Sequence, residues 1–74
     1  MTPPVLLYVR PDCPACAALH AELTARGATV TVIDVARQKG RVAELLKLTG
    51  GRRIVPVVVE DGVVSVAPAG GSAF

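Results

Sequence analysis

Aromatic residues are almost absent from this chain, which has one Phe, one Tyr and no Trp in 74 residues. Bases therefore find no stacking platforms, and the eight Lys and Arg residues form no long basic run. Arg37, Lys39 and Arg41 are interleaved with other residues, and Arg52-Arg53 is a lone pair. Nucleic acid is not an expected partner. Long apolar runs are also missing, because charges and glycines break the apolar residues into short pieces. No segment is long enough for a bilayer-spanning helix, so no membrane partner is expected. No succession of basic, long apolar and small-residue blocks marks a secretory signal, and the expected compartment is the cytoplasm. Histidine occurs once, at His20, and cysteine twice, at Cys13 and Cys16. These three share one face of a helix but bring no fourth ligand, so no metal site within one subunit is expected.

What the chain does have is aliphatic bulk. It is 51% hydrophobic, with a core that must be built from Val, Leu, Ile and Ala. Residues 1–74 make one small domain. A domain of this size buries only about 60–65% of its extended-chain surface. The two cysteines stand too close together to be an effective staple. A disulfide across so short a loop removes little unfolded-state entropy, on the order of 2 kcal/mol. The spacing suits reversible chemistry in a reducing compartment instead.

Read in order, Thr2-Pro-Pro4 is a stiff lead-in, and Val5-Leu-Leu-Tyr-Val9 is a strand buried on both faces. A helix is predicted over residues 14–26, with Cys16, Leu19 and Leu23 as its inner stripe and Gly27 as its stop. Residues 29–35 read as a second strand, parallel to the first. A second helix, from Gln38 or Gly40 to Leu48, presents Val42, Leu45, Leu46 and Thr49 on one face and ends at Gly50-Gly51. Residues 54–60 are strand-like except at Pro56. Asp61-Gly62 between two β-branched runs signals a type I′ hairpin to residues 63–67. Residues 68–74 are read as having no regular element. The order β-α-β-α-β-β gives an α/β fold, a mixed sheet with a parallel half and an antiparallel hairpin, and an interior first strand.

The chemistry lies in Arg10-Pro-Asp-Cys-Pro-Ala-Cys16. Pro14 suits the first position of a helix, where its missing N–H costs nothing. Cys13 then falls at the N-cap, where open amides and the dipole favour thiolate over thiol. Arg10 favours the thiolate as well and Asp12 opposes it, so a modest lowering of the thiol pKa is expected. Thiol–disulfide exchange needs one exposed sulfur to attack and a second to resolve the mixed disulfide. Cys13 is the expected nucleophile and Cys16 the resolving thiol. Pro56 has two readings: the third strand begins there, or a cis Val55–Pro56 bond turns the Val55 backbone outward beside the cysteines.

Tyr8-Val-Arg-x-x-Cys-Pro-x-Cys16, Ile33-Asp34-Val35, Gly51-Arg-Arg-Ile-Val-Pro56 and Gly70-Gly71, in that order, resemble glutaredoxin over nearly the whole chain. The resemblance implies a thioredoxin-like fold and a thiol–disulfide oxidoreductase acting on protein disulfides or glutathione mixed disulfides. It implies electrons from glutathione or a thioredoxin reductase, with glutathione as a co-substrate and no bound cofactor. Arg10 and Arg53 match basic positions that pair with a glutathione carboxylate. Val55 would offer backbone hydrogen bonds to the cysteine of glutathione, Pro56 would be cis, and Gly70 and Gly71 would close the far side of the site.

The chain departs from the family's pattern in five places, one of them a stretch from Pro56 to Gly70 that is a few residues longer than usual. Ala15 replaces the usual aromatic between the cysteines, and Ile54 replaces a threonine. Ser72 stands where acidic residues commonly hold the glutathione amino group, and the family's last helix has no counterpart. An open sheet face beside the first helix is then expected, to be covered by a second copy or a partner protein. A reading from another class is a non-catalytic thioredoxin-fold module that carries a metal or iron–sulfur cluster or docks a partner.

Overall fold

The computed structural model describes residues 4–68 and 70–74. Apart from Pro4, the stiff lead-in lies outside the described residues. Strand β1 (Val5–Val9) pairs in parallel with β2 (Val30–Asp34), and helix α1 (Pro14–Ala25) connects them. A short 3-10 turn (Lys39–Arg41) leads into helix α2 (Val42–Thr49). Strand β3 (Ile54–Val55) precedes Pro56, and β4 (Val57–Glu60) and β5 (Val63–Val66) follow it as a hairpin. A last strand, β6 (Ser72–Ala73), pairs antiparallel with β3.

The main sheet has the order β2-β1-β4-β5, so β1 is interior as expected. Its side chains alternate between two cores. Val5 and Leu7 pack with Val58 and Leu23 of α1, while Tyr8 packs with Val55, Val57 and Leu45 of α2. The molecule is thus three layers, with one helix on each face of the sheet. Leu7 and Leu45 are fully buried. Of the predicted α1 stripe, Cys16 and Leu23 are buried and Leu19 only partly so.

Local chemistry explains the turns. Asp61 and Gly62 both have positive φ (52° and 77°), as a type I′ hairpin requires. Gly50 adopts the left-handed conformation (φ 71°), and Gly51 N–H donates to Leu46 O at 2.8 Å, which stops α2 where the glycine pair predicts.

Two details go beyond the sequence reading. The exception at Pro56 is a full break, because Pro56 separates β3 from β4 and the two lie in different sheets. Proline has no N–H to give a ladder, so the interruption falls on it. Residues 68–74 are also not wholly irregular, since β6 forms there on the free edge of β3.

Candidate active site

The site begins where β1 runs out. Residues 11 and 12 turn the chain from the end of β1 into α1. Asp12 takes positive φ (58°), a conformation Asp tolerates better than most residues. Cys13 is extended (φ −114°, ψ 99°) at the N-cap, and Pro14 opens the helix. The Cys13 Sγ accepts the Cys16 N–H at 3.2 Å, so a helix-terminal amide points at the sulfur. The first turn of α1 has no acidic side chain to offset that field. Cys13 and Cys16 are joined as a disulfide, with Cα atoms 5.2 Å apart, within the ordinary range.

Cys13 was expected at an exposed tip, with only Cys16 turned inward. In the disulfide form both are covered, at 6% and 4% exposure. Both belong to the α2-side core with Tyr8, Val35, Leu45 and Val55. The N-cap position places the sulfur over the helix, and the aliphatic residues of β1 and β3 close around it.

On one side of the disulfide a groove of about 640 Å³ runs between α1 and the β1–β2 half of the sheet. Leu7, Val9 and Val32 form its sheet wall, and Ala17 and His20 its helix wall. Val32 is 45% exposed, a large apolar side chain left on the face where an open surface was expected. Arg10 also lines the groove, and its Nε is buried without a hydrogen-bond partner among the described residues. Cys13, Cys16 and His20 share the groove. Even so, among the described residues no three His, Cys, Asp or Glu side chains are grouped to hold a metal ion.

On the other side, the Val55–Pro56 bond is cis, and Pro56 and Gly70 meet Ala15 around a small cavity of about 80 Å³. Val55 is fully buried in the cysteine-containing core. Gly71 lies so close to it that a Cβ there would collide with the Val55 carbonyl. Arg53 is exposed but engaged within the chain. Its Nε donates to Phe74 O at 2.9 Å, and its guanidinium stacks 4.7 Å above the Phe74 ring. The structure thus brings Cys13, Cys16 and Arg10 together along the groove, and Pro56, Gly70 and Ala15 on the opposite flank. It leaves Arg53 with Phe74.

Sequence reading missed two groups. One is Phe74, whose sole-phenylalanine status in an aromatic-poor chain was the available signal. The other is a trio beneath the site. The buried Tyr8 hydroxyl donates to Glu44 Oε2, and Arg41 grips the same carboxylate through Nε (3.1 Å) and Nη2 (2.9 Å). Burial, then the hydrogen bond and charge of Glu44, push the Tyr8 phenol up to about 12. The hydrogen bonds from Arg41 and Tyr8 hold the Glu44 carboxyl below its usual range. The trio ties the 3-10 turn and α2 to β1 directly before the cysteine turn.

The glutaredoxin family model matches residues 5–64, which take in the cysteine turn, the cis-proline and most of the hairpin. The chain belongs to the glutaredoxin family. Among solved structures it is similar to the thioredoxin-like protein BC3987 and to a point mutant of it, each at 27% identity and a TM-score of 0.75. The matches cover 84% of this chain, with 84% of the unmutated protein and 82% of the mutant. No curated protein sequence matches the chain. This glutaredoxin-family chain therefore has a thioredoxin-like fold with a Cys-x-x-Cys pair and a redox role. No helix among the described residues is long and apolar enough to cross a membrane.

Proposed function

We propose that this protein is a dithiol–disulfide oxidoreductase that reduces disulfides in protein substrates. The observation that carries the proposal is Cys13 at the N-cap, its sulfur receiving the Cys16 amide and bonded to the sulfur one turn along. In the reduced protein the Cys13 thiolate attacks one sulfur of a substrate disulfide. A mixed disulfide forms, and the other substrate sulfur leaves as a thiolate and takes up a proton. Cys16, deprotonated, then attacks Cys13 Sγ, forms the Cys13–Cys16 bond and releases the second substrate thiolate. The substrate gains two electrons and two protons, and the protein ends in the disulfide form seen here. Two donors fit a chain of this kind, and each route returns two electrons to that disulfide: two glutathione molecules, which leave as glutathione disulfide, or the dithiol of a thioredoxin reductase, which becomes a disulfide.

The protein substrate approaches along the α1–β2 groove. Its apolar sheet wall matches a hydrophobic segment, and Arg10 lines the same groove. A dimeric mass at micromolar concentration by light scattering would instead assign the groove to a second copy.

The decisive experiment follows reduction of a protein disulfide, such as that of insulin, by the reduced protein, with turnover driven by each donor in separate runs. Cys13→Ser should abolish activity, and Cys16→Ser should stop at a trapped mixed disulfide visible as a mass increase. If Cys13 titrates like a free thiol and no Cys13–Cys16 disulfide forms on oxidation, the proposal fails.

A further inference from the structure

The edge of β3 beside the disulfide is occupied by the chain itself. In an antiparallel ladder, directly opposed residues alternate between pairs that exchange hydrogen bonds and pairs that do not. Phe74 N–H donates to Arg53 O at 3.2 Å, which makes Arg53 and Phe74 a bonded pair. In the observed register, Ile54 opposite Ala73 and Val55 opposite Ser72, the next bonded pair is Val55 with Ser72. The backbone groups of Val55 that point away from its own strand are thus directed at residues 71–72. The absence of a side chain at Gly71 is what lets the segment approach that closely. Phe74 holds the other end, because its ring lies under the Arg53 guanidinium and packs against the core that contains both cysteines.

An extended peptide whose cysteine reaches Cys13 from this flank would bind by adding a strand to the same edge. Main-chain hydrogen bonds supply the affinity in that mode. We infer that residues 71–74 act as a built-in occupant of the peptide-binding edge of β3. The segment holds off small cysteinyl peptides and leaves the α1–β2 groove as the open approach to the disulfide. The inference deepens the oxidoreductase reading and takes its significance from it, but the occupancy is testable apart from any turnover. It engages the Arg53 guanidinium, the Val55 main chain and the Gly71 position with one segment of the chain.

The test uses S-methylglutathione, a small cysteinyl peptide whose blocked sulfur cannot exchange, titrated into the full-length protein and followed by NMR chemical shifts. Two variants loosen the segment by different means. Gly71→Ala places a methyl group against the Val55 carbonyl, and Phe74→Ala removes the ring beneath Arg53. Each is expected to bind the peptide at least tenfold more tightly than the natural sequence, with shifts centred on Val55 and far-UV circular dichroism unchanged. Slow hydrogen exchange of the Phe74 amide is expected in the unaltered protein. Equal binding by all three proteins, or rapid exchange at Phe74, overturns the inference. Failure of the insulin assay with the unaltered protein overturns the oxidoreductase reading and leaves these binding results interpretable on their own.

Discussion

Removing the Tyr8 hydroxyl is the cleanest probe of how the site is anchored. Tyr8 is 1% exposed, and Phe fills its place with only the oxygen lost. A hydrogen bond to a charged group is worth about 1.5–3 kcal/mol. The Glu44 side chain is 43% exposed and keeps Arg41, which puts Tyr8→Phe at the low end, about 1.5 kcal/mol at pH 8. That difference should depend on pH with a definite sign. The folded-state pKa of about 12 lies above the ordinary 10.0, so the folded protein holds the phenolic proton more tightly. The contribution is complete below pH 10 and is lost as pH rises from there towards 12. By pH 11 most of it is gone, whereas Phe has nothing to titrate. Urea unfolding followed by circular dichroism should therefore separate the two proteins by on the order of 1 M in midpoint at pH 8 and bring them nearly together at pH 11. A gap that stays constant, or that widens with pH, would show that the phenol is not held by burial and Glu44 as described.

Further outcomes follow from other positions. Leu45 is fully buried in the core that contains both cysteines. Leu45→Ala should cost about 2–5 kcal/mol in urea unfolding, a large share of the stability of so small a domain. Gly62→Ala places a side chain at φ 77° and should cost about 1 kcal/mol in urea unfolding, with insulin reduction unchanged because the hairpin end is remote from the cysteines. The Glu44 carboxyl is held below its usual range, so its contribution is present above the ordinary carboxylate pKa and lost as pH falls through the depressed value. Glu44→Gln should therefore flatten the acid limb of the stability profile, measured as thermal midpoint against pH.

The parts of the fold legible in the sequence are those fixed by neighbouring residues. Pro14 after Cys13, the Gly50-Gly51 pair and Asp61-Gly62 each dictate local backbone geometry, and the helix start, helix stop and hairpin stand where those residues put them. Interior β1 followed from its unbroken apolar run, because a strand covered by helices on both faces needs no polar side. The misread parts depend on distant partners. Ser72 and Ala73 have no strand signature, and what makes them a strand is the free edge of β3 opposite them. Tyr8 and Glu44 are 36 positions apart, and no local pattern links them. Cys13 was expected to be exposed because a helix tip usually is. Its 6% exposure comes from Val55 and other core residues that reach it only after the chain has crossed the sheet.

The two flanks of the disulfide therefore differ in what they leave for a partner. On the α1–β2 flank the sheet wall is apolar, so a partner there gains burial without displacing a segment of the chain. On the β3 flank every comparable gain must first undo one already made, because a peptide that takes the Val55 main chain must replace Ser72, and one that takes Arg53 must replace Phe74. Binding energy is the difference between new contacts and those given up. Even if both flanks offered a peptide equal contacts, the β3 side would bind it more weakly by whatever holds residues 71–74 in place. On the proposal that residues 71–74 fill the β3 edge, the same cysteine pair would favour a folded protein that approaches over α1 and β2 against a tripeptide that needs that edge, with no change in the chemistry at Cys13.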